Sequence, residues 1–124
     1  MTSTNLRTVD RLIEGLNARD RTVMDEVFTD DAVMEWPQSG ERIVGAEMRR
    51  AVYARLDPLP TVTPRRMLAE GDLVIAEAHL DYGSGAYDCV FIFEMRDGLI
   101  AKETAYWATP YDPPDWRAAL VERI

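Results

Sequence analysis

The second half of the chain alternates. Val74, Ala76, Ala78, Leu80 and Tyr82 take turns with Ile75, Glu77, His79 and Asp81, the period-two pattern of a strand with one buried face. Turn chemistry brackets it: Glu70-Gly71-Asp72 before, Gly83-Ser84-Gly85 after, and Asp97-Gly98 one strand later. Asp-Gly supplies the positive φ angles that a tight hairpin demands. These signals predict four antiparallel strands between about residue 61 and residue 109. Pro64, which has no N–H to give a neighbour, assigns the first of them to the sheet edge. On the third, Tyr87, Cys89, Phe91, Phe93 and Met95 share the buried face. The last strand does not declare its face, because Leu99, Ala101, Ala105 and Trp107 compete with Ile100 and Tyr106.

A sheet of this kind needs cover, and the first half of the chain provides it. Leu6, Val9, Leu12, Ile13 and Leu16 fall at helical spacing, predicting an amphipathic helix over about 5–18. Asp20 is placed to cap a second helix carrying Val23, Met24, Val27 and Phe28, ended by Asp30-Asp31. Ala32, Met34 and Trp36 then alternate with Val33 and Glu35 as a strand that Pro37 stops. A short strand at Arg42-Ile43-Val44 follows. Gly45 opens a third helix with Met48, Val52 and Leu56 on one face and Tyr53 at its edge; Pro58 and Pro60 end it. The order predicts an α+β domain, with three helices on one face of a six-stranded, mostly antiparallel, curved sheet. A bent sheet leaves a pocket between itself and its helices. Residues 1–124 read as a single domain.

Composition removes several function classes. With 14 Lys and Arg against 22 Asp and Glu, the formal charge is −8, which repels phosphate backbones and anionic membranes, so nucleic acid and membrane are not expected partners. One cysteine and one histidine permit neither an intramolecular disulfide nor a thiolate or imidazole metal cage, so no metal or other cofactor is expected. The first ten residues lack the apolar core of a signal peptide, and no apolar run nears membrane-spanning length. A cytoplasmic location is the expectation.

The segment VFTDDAVMEWPQSGERIVGAEMRRAV, with LNARD before it and RDGLI and TAYW after it, resembles the nuclear transport factor 2-like superfamily. Within it the likeness is to SnoaL-like domains and their ketosteroid isomerase and polyketide cyclase relatives, and it covers nearly the whole chain. The resemblance implies a cone-shaped fold with a deep pocket and a homodimer packed through the outer sheet face, where Val90, Ile92 and Tyr106 lie. It does not carry over the catalytic groups. The general-base Asp of the isomerases, immediately before the proline of the first strand, is Trp36 here. Their oxyanion Tyr falls at about Leu12 and their protonated Asp near Phe91, while the last-strand Asp of limonene-epoxide-hydrolase relatives falls near Ala105.

The resemblance also decides the last strand in favour of its odd-numbered residues, which turns Glu103 into the pocket beside Trp107. A carboxylate among apolar neighbours is held neutral to higher pH and can serve as general acid or base near neutrality. Trp36, Met34, Tyr53, Tyr82, Tyr87, Phe91, Ala105 and Trp107 are the expected substrate-binding walls. His79 alternates outward beside Glu77 and Asp81, Cys89 faces in with no base to activate it, and Glu35 is expected to be solvated. Two functions remain open: cofactor-independent acid–base catalysis (isomerase, cyclase or dehydratase) on an apolar cyclic or polyketide-like substrate, or non-catalytic binding of a small apolar molecule. At the end of the chain, Asp115 is expected to cap a short helix whose Trp116 and Leu120 pack over the domain or a partner.

Overall fold

The computed structural model describes residues 3–124. Its elements are α1 (Thr4–Asn17), α2 (Val23–Val27), β1 (Phe28–Trp36), β2 (Glu41–Val44), α3 (Gly45–Arg55), β3 (Thr61–Glu70), β4 (Leu73–Asp81), β5 (Ala86–Arg96) and β6 (Leu99–Ala108). The six strands form one sheet in the order β2-β1-β6-β5-β4-β3. Every pairing is antiparallel except β1 with β6, which is parallel. The expected α+β architecture is therefore the observed one, with Pro64 on the edge strand.

The ends of α1 show how side chains fix the layers. Ser3 accepts a hydrogen bond from the Leu6 N–H at 3.0 Å, satisfying one of the free donors of the first turn. At the other end the Asn17 amide accepts from the Val62 N–H at 2.7 Å and donates to the Val62 carbonyl at 2.9 Å, tying the helix to β3. Between them Val9 and Leu12 are buried and Gly15 lies flat against Val23, where a Cβ would stand 2.4 Å from the Val23 side chain. Asp97 and Gly98 both take positive φ, 53° and 79°, as the hairpin between β5 and β6 requires.

Four expectations are corrected. The second helix ends at Val27, and Asp30-Asp31 lie inside β1 rather than before it. Asp20 accepts from the N–H and hydroxyl of Thr22, while Thr22 itself takes the cap position. On α3, Met48 and Val52 are exposed and Arg49 is buried, so the helix turns a polar residue inward. The tail forms one 3₁₀ turn at Asp115–Arg117, with Pro114 rather than Asp115 at its cap position; Trp116 and Leu120 are 76% and 81% exposed, so they do not pack over their own domain.

The ambiguity of β6 has a structural cause. Met95 pairs with Ile100 and Glu94 with Lys102, leaving Ala101 as an extra residue. This bulge shifts the phase of the strand. Ile100 is fully buried on one side of it, and Glu103 and Ala105 on the other. Both readings of the strand are right, each for its own half.

Candidate functional site

Two neighbouring spaces lie between the sheet and the helices. The outer one is an open chamber of about 660 Å³ whose walls include Trp36, Gln38, Tyr53, Tyr82, Tyr87 and Trp107. The inner one is a narrow cavity of about 60 Å³ at the heart of the cone, walled by α1, α2, β4 and β5 side chains and by Glu103. Tyr53, Leu56, Tyr82 and Trp107 belong to both and form the neck.

The neck is held by aromatic geometry. Trp107 meets Trp36 edge to face at 5.5 Å and Phe91 edge to face at 6.1 Å, arrangements that match ring edges to ring faces. Its backbone is fixed by Gln38, whose amide donates to the Trp107 carbonyl at 2.9 Å and accepts from the Trp107 N–H at 2.6 Å. Gln38 thereby extends the β1–β6 edge by one side-chain rung. The indole nitrogen of Trp36 is buried without a hydrogen-bond partner among the described residues.

Glu103 stands in β6 opposite Phe93 on one side and Met34 on the other. It is 5% exposed, and no hydrogen bond reaches its carboxylate among the described residues. Burial pushes its carboxyl up to about 8, and the positive charge of Arg49 works in the opposite direction. An apolar wall destabilises the ionised form because it offers no dipoles in place of water. Tyr53 is held well above the ordinary phenol value by burial and then by Glu103; Tyr82 is raised by burial against a smaller opposing effect of Trp107. Both phenols stay protonated and can donate.

The expected wall residues separate into four sets. Phe91 lines the inner cavity with Glu103, Trp36 and Tyr87 line the outer chamber, and Tyr53, Tyr82 and Trp107 line both. Met34 and Ala105, at 1% and 0% exposure, line neither space; they back it from within the sheet, because close cross-strand packing leaves no void around them. Cys89 is buried, and its thiol is pushed up to about 12 by desolvation, which leaves it inert. His79 faces outward to Asp88 at 3.2 Å. Glu35 is not simply solvated: it bridges Arg42 and Lys102, which hold its carboxyl below the usual range.

Sequence reasoning missed Arg49 and Gln38. Arg49 has the largest of the fully buried side chains, and a charged residue on a helix reads as solvated. No periodicity marks it. Gln38 sits in a loop, where only its pairing with Trp107 reveals it. Among the described residues, no group of three or more His, Cys, Asp or Glu side chains comes together as a metal site would require.

The cone with its inward pocket defines a nuclear transport factor 2-like fold. A family model, the SnoaL-like domain, matches residues 9–103, and the chain belongs to that family. A protein of unknown function from Burkholderia xenovorans, also nuclear transport factor 2-like, is 30% identical with a TM-score of 0.85, over 98% of this chain and 95% of that one. A proposed ketosteroid isomerase from Kribbella flavida is 27% identical with a TM-score of 0.86, over 98% and 90%. An epoxide hydrolase of the LEH-like type from Mycobacterium tuberculosis is 25% identical with a TM-score of 0.74, over 86% and 84%. A comparison with curated proteins finds no match. No helix among the described residues is long and apolar enough to cross a membrane.

Proposed function

We propose that the two spaces are one ligand site, in which Glu103 performs cofactor-independent acid–base chemistry on a small apolar molecule, cyclic or polyketide-like. One observation carries the reading: a carboxyl group with no hydrogen-bond partner among the described residues lines an apolar cavity, where burial pushes it up to about 8. A structural carboxylate is ordinarily paired. One held near neutrality can both take and return a proton, as an isomerase, cyclase or dehydratase requires. The ring of the ligand sits against Trp36 and Trp107 in the outer chamber, and the reacting carbon passes the neck. Tyr53 and Tyr82, both protonated donors, stand where a carbonyl would gain negative charge. The isomerase and epoxide-hydrolase relatives support the class of reaction without fixing it, since one fold hosts many.

Mass spectrometry of ligands that co-purify with the native protein identifies the molecule. Deuterium uptake from D₂O into a panel of cyclic ketones then tests the chemistry. Uptake that disappears in Glu103→Gln is the expected result. Ligand binding with no uptake in the wild type leaves the alternative, a binding protein without turnover.

The outer sheet face supports a homodimer. Leu68, Ile75 and Ile92 form a cross-strand row, next to Val90 opposite Tyr106, and Leu68, Ile75, Val90 and Tyr106 are exposed. A twofold contact would cover this row with its own copy. Sedimentation at micromolar concentration should give twice 14.1 kDa; a single-chain species rejects the dimer.

A further inference from the structure

Arg49 is a buried cation whose best hydrogen-bonding edge engages no acceptor. The residue is 1% exposed, and its Nε and Nη2 are buried without a hydrogen-bond partner among the described residues. Nη1 reaches the Thr29 carbonyl only at 3.5 Å. The guanidinium lies over the Phe28 ring, 4.9 Å from its centre. Buried charged groups are ordinarily paired. Burial lowers the pKa of this one, and the attraction of Asp25 and Asp30 does not make up the loss.

The unpaired atoms are a matched set. Nε and Nη2 form the fork with which a guanidinium takes both oxygens of an oxyanion. Arg11 uses the same two atoms on Glu26, at 3.0 and 3.2 Å. In Arg49 the acid beside the fork offers no such fit: Oδ1 of Asp25 stands 3.7 Å from Nη2 and is held by Nε of Arg50 at 3.0 Å.

Arg49 and Asp25 both border a cleft of about 200 Å³ between α2 and α3, whose walls also include Arg21, Thr22 and Arg50. Three arginines and one carboxylate thus meet at one cleft, in a chain whose formal charge is −8. Arg21 is anchored there by the end of α3, donating to the Tyr53 carbonyl at 2.9 Å and to the Leu56 carbonyl, with the exposed Asp57 3.6 Å away. Glu103 is not among the walls, although Tyr53 borders both this cleft and the inner cavity.

We propose that the cleft is an anion site, in which the Arg49 fork takes two oxygens of a small oxyanion, a carboxylate or phosphate group, while Arg50 and Arg21 add positive charge around it. Asp25 and Arg50 are half-exposed side chains, and their swinging outward admits the anion to the fork. Rotamer changes of such groups take nanoseconds or less. Asp25 is then a competitor that leaves Arg49 when the anion arrives. The fork favours an oxyanion over chloride, which offers a single centre and no second oxygen.

The test follows the arginine side-chain Nε–H signals by ¹⁵N NMR in the full-length protein. Sodium phosphate and, separately, sodium acetate are titrated in, with sodium chloride holding the ionic strength constant. The Arg49 signal should shift saturably with at least one of the two oxyanions, and the tighter of them names the anionic group of the ligand. Arg49→Met should abolish binding measured by calorimetry, and Asp25→Asn should tighten it roughly tenfold or more. Glu103→Gln should leave the affinity unchanged, so that the site stands or falls apart from the proposed reaction; loss of binding there overturns a separate site. No saturable shift with either oxyanion overturns the proposal, as does an equal shift with chloride alone. If Arg49→Met does not fold, an unchanged or weaker affinity in Asp25→Asn overturns it.

Discussion

Glu103→Gln removes the ionisation and nearly preserves the shape. In the unfolded chain the carboxyl titrates at its ordinary 4.5, and in the folded chain at about 8. Between these values the folded state holds a proton that the unfolded state has lost. Stability attributable to this group is therefore complete below 4.5, falls as pH rises through the interval, and levels off above about 8. At ~1.4 kcal/mol per pH unit, the interval from 4.5 to 7 costs the wild type about 3 kcal/mol, a large share of a typical folding free energy. The Gln variant does not incur this loss. Its amide adds its own cost of an unsatisfied polar group, roughly 1–3 kcal/mol, but that cost is independent of pH. The quantity to measure is the difference between urea unfolding free energies of the two proteins at half-unit steps from pH 5 to 9. It should move in favour of the Gln variant by about 4 kcal/mol as pH rises from 5 to about 8, then become flat. The other carboxylates cancel in the difference. A difference that stays constant across the range shows Glu103 to be solvated or paired, and refutes the site.

Gly15→Ala would ordinarily stabilise a helix by about 1 kcal/mol, but here the new methyl meets Val23 at 2.4 Å; overpacking should win, lowering stability by about 1–3 kcal/mol in urea unfolding. Gln38→Leu removes both bonds to the Trp107 backbone, and hydrogen exchange at the Trp107 amide should accelerate at least tenfold while the β4 amides stay protected. Truncation after Pro110 deletes only exposed or half-exposed residues, so unfolding of the dilute protein should change by less than about 0.5 kcal/mol; a loss that grows with protein concentration would place Trp116 and Leu120 on a second copy.

Strand alternation and turn residues made the meander readable, because a buried face repeats every second residue and Asp-Gly tolerates few other conformations. Glu103 was reachable only through the family resemblance, since its own strand changes phase at Ala101 and periodicity cannot cross a bulge. The third helix misled for a different reason. Periodicity assumes that apolar residues go inward, and Arg49 goes inward while Met48 does not. Its burial depends on the Phe28 ring and the Asp25 carboxylate, which come from elements around twenty residues earlier. The division between Met34 and Ala105, which back the cavity, and Phe91 and Trp107, which line it, is likewise a matter of side-chain size and sheet curvature that no linear pattern encodes.

Ala101, the unpaired residue of β6, acts as a joint between two separately heritable halves. Residues before it, Ile100 above all, are answerable to the closed end of the core; after it, Glu103 and Trp107 face the ligand space. Deleting this one alanine would restore an unbroken ladder, yet would rotate one half of the strand against the other and turn either Ile100 or Glu103 to the outside. Insertions and deletions here are therefore far more damaging than in the hairpin two residues away. The same joint lets substitutions accumulate on the ligand side without disturbing the pairing of Met95 with Ile100. A lineage could exchange the chemistry of its pocket, carboxylate included, while the closed end of the cone is passed on intact.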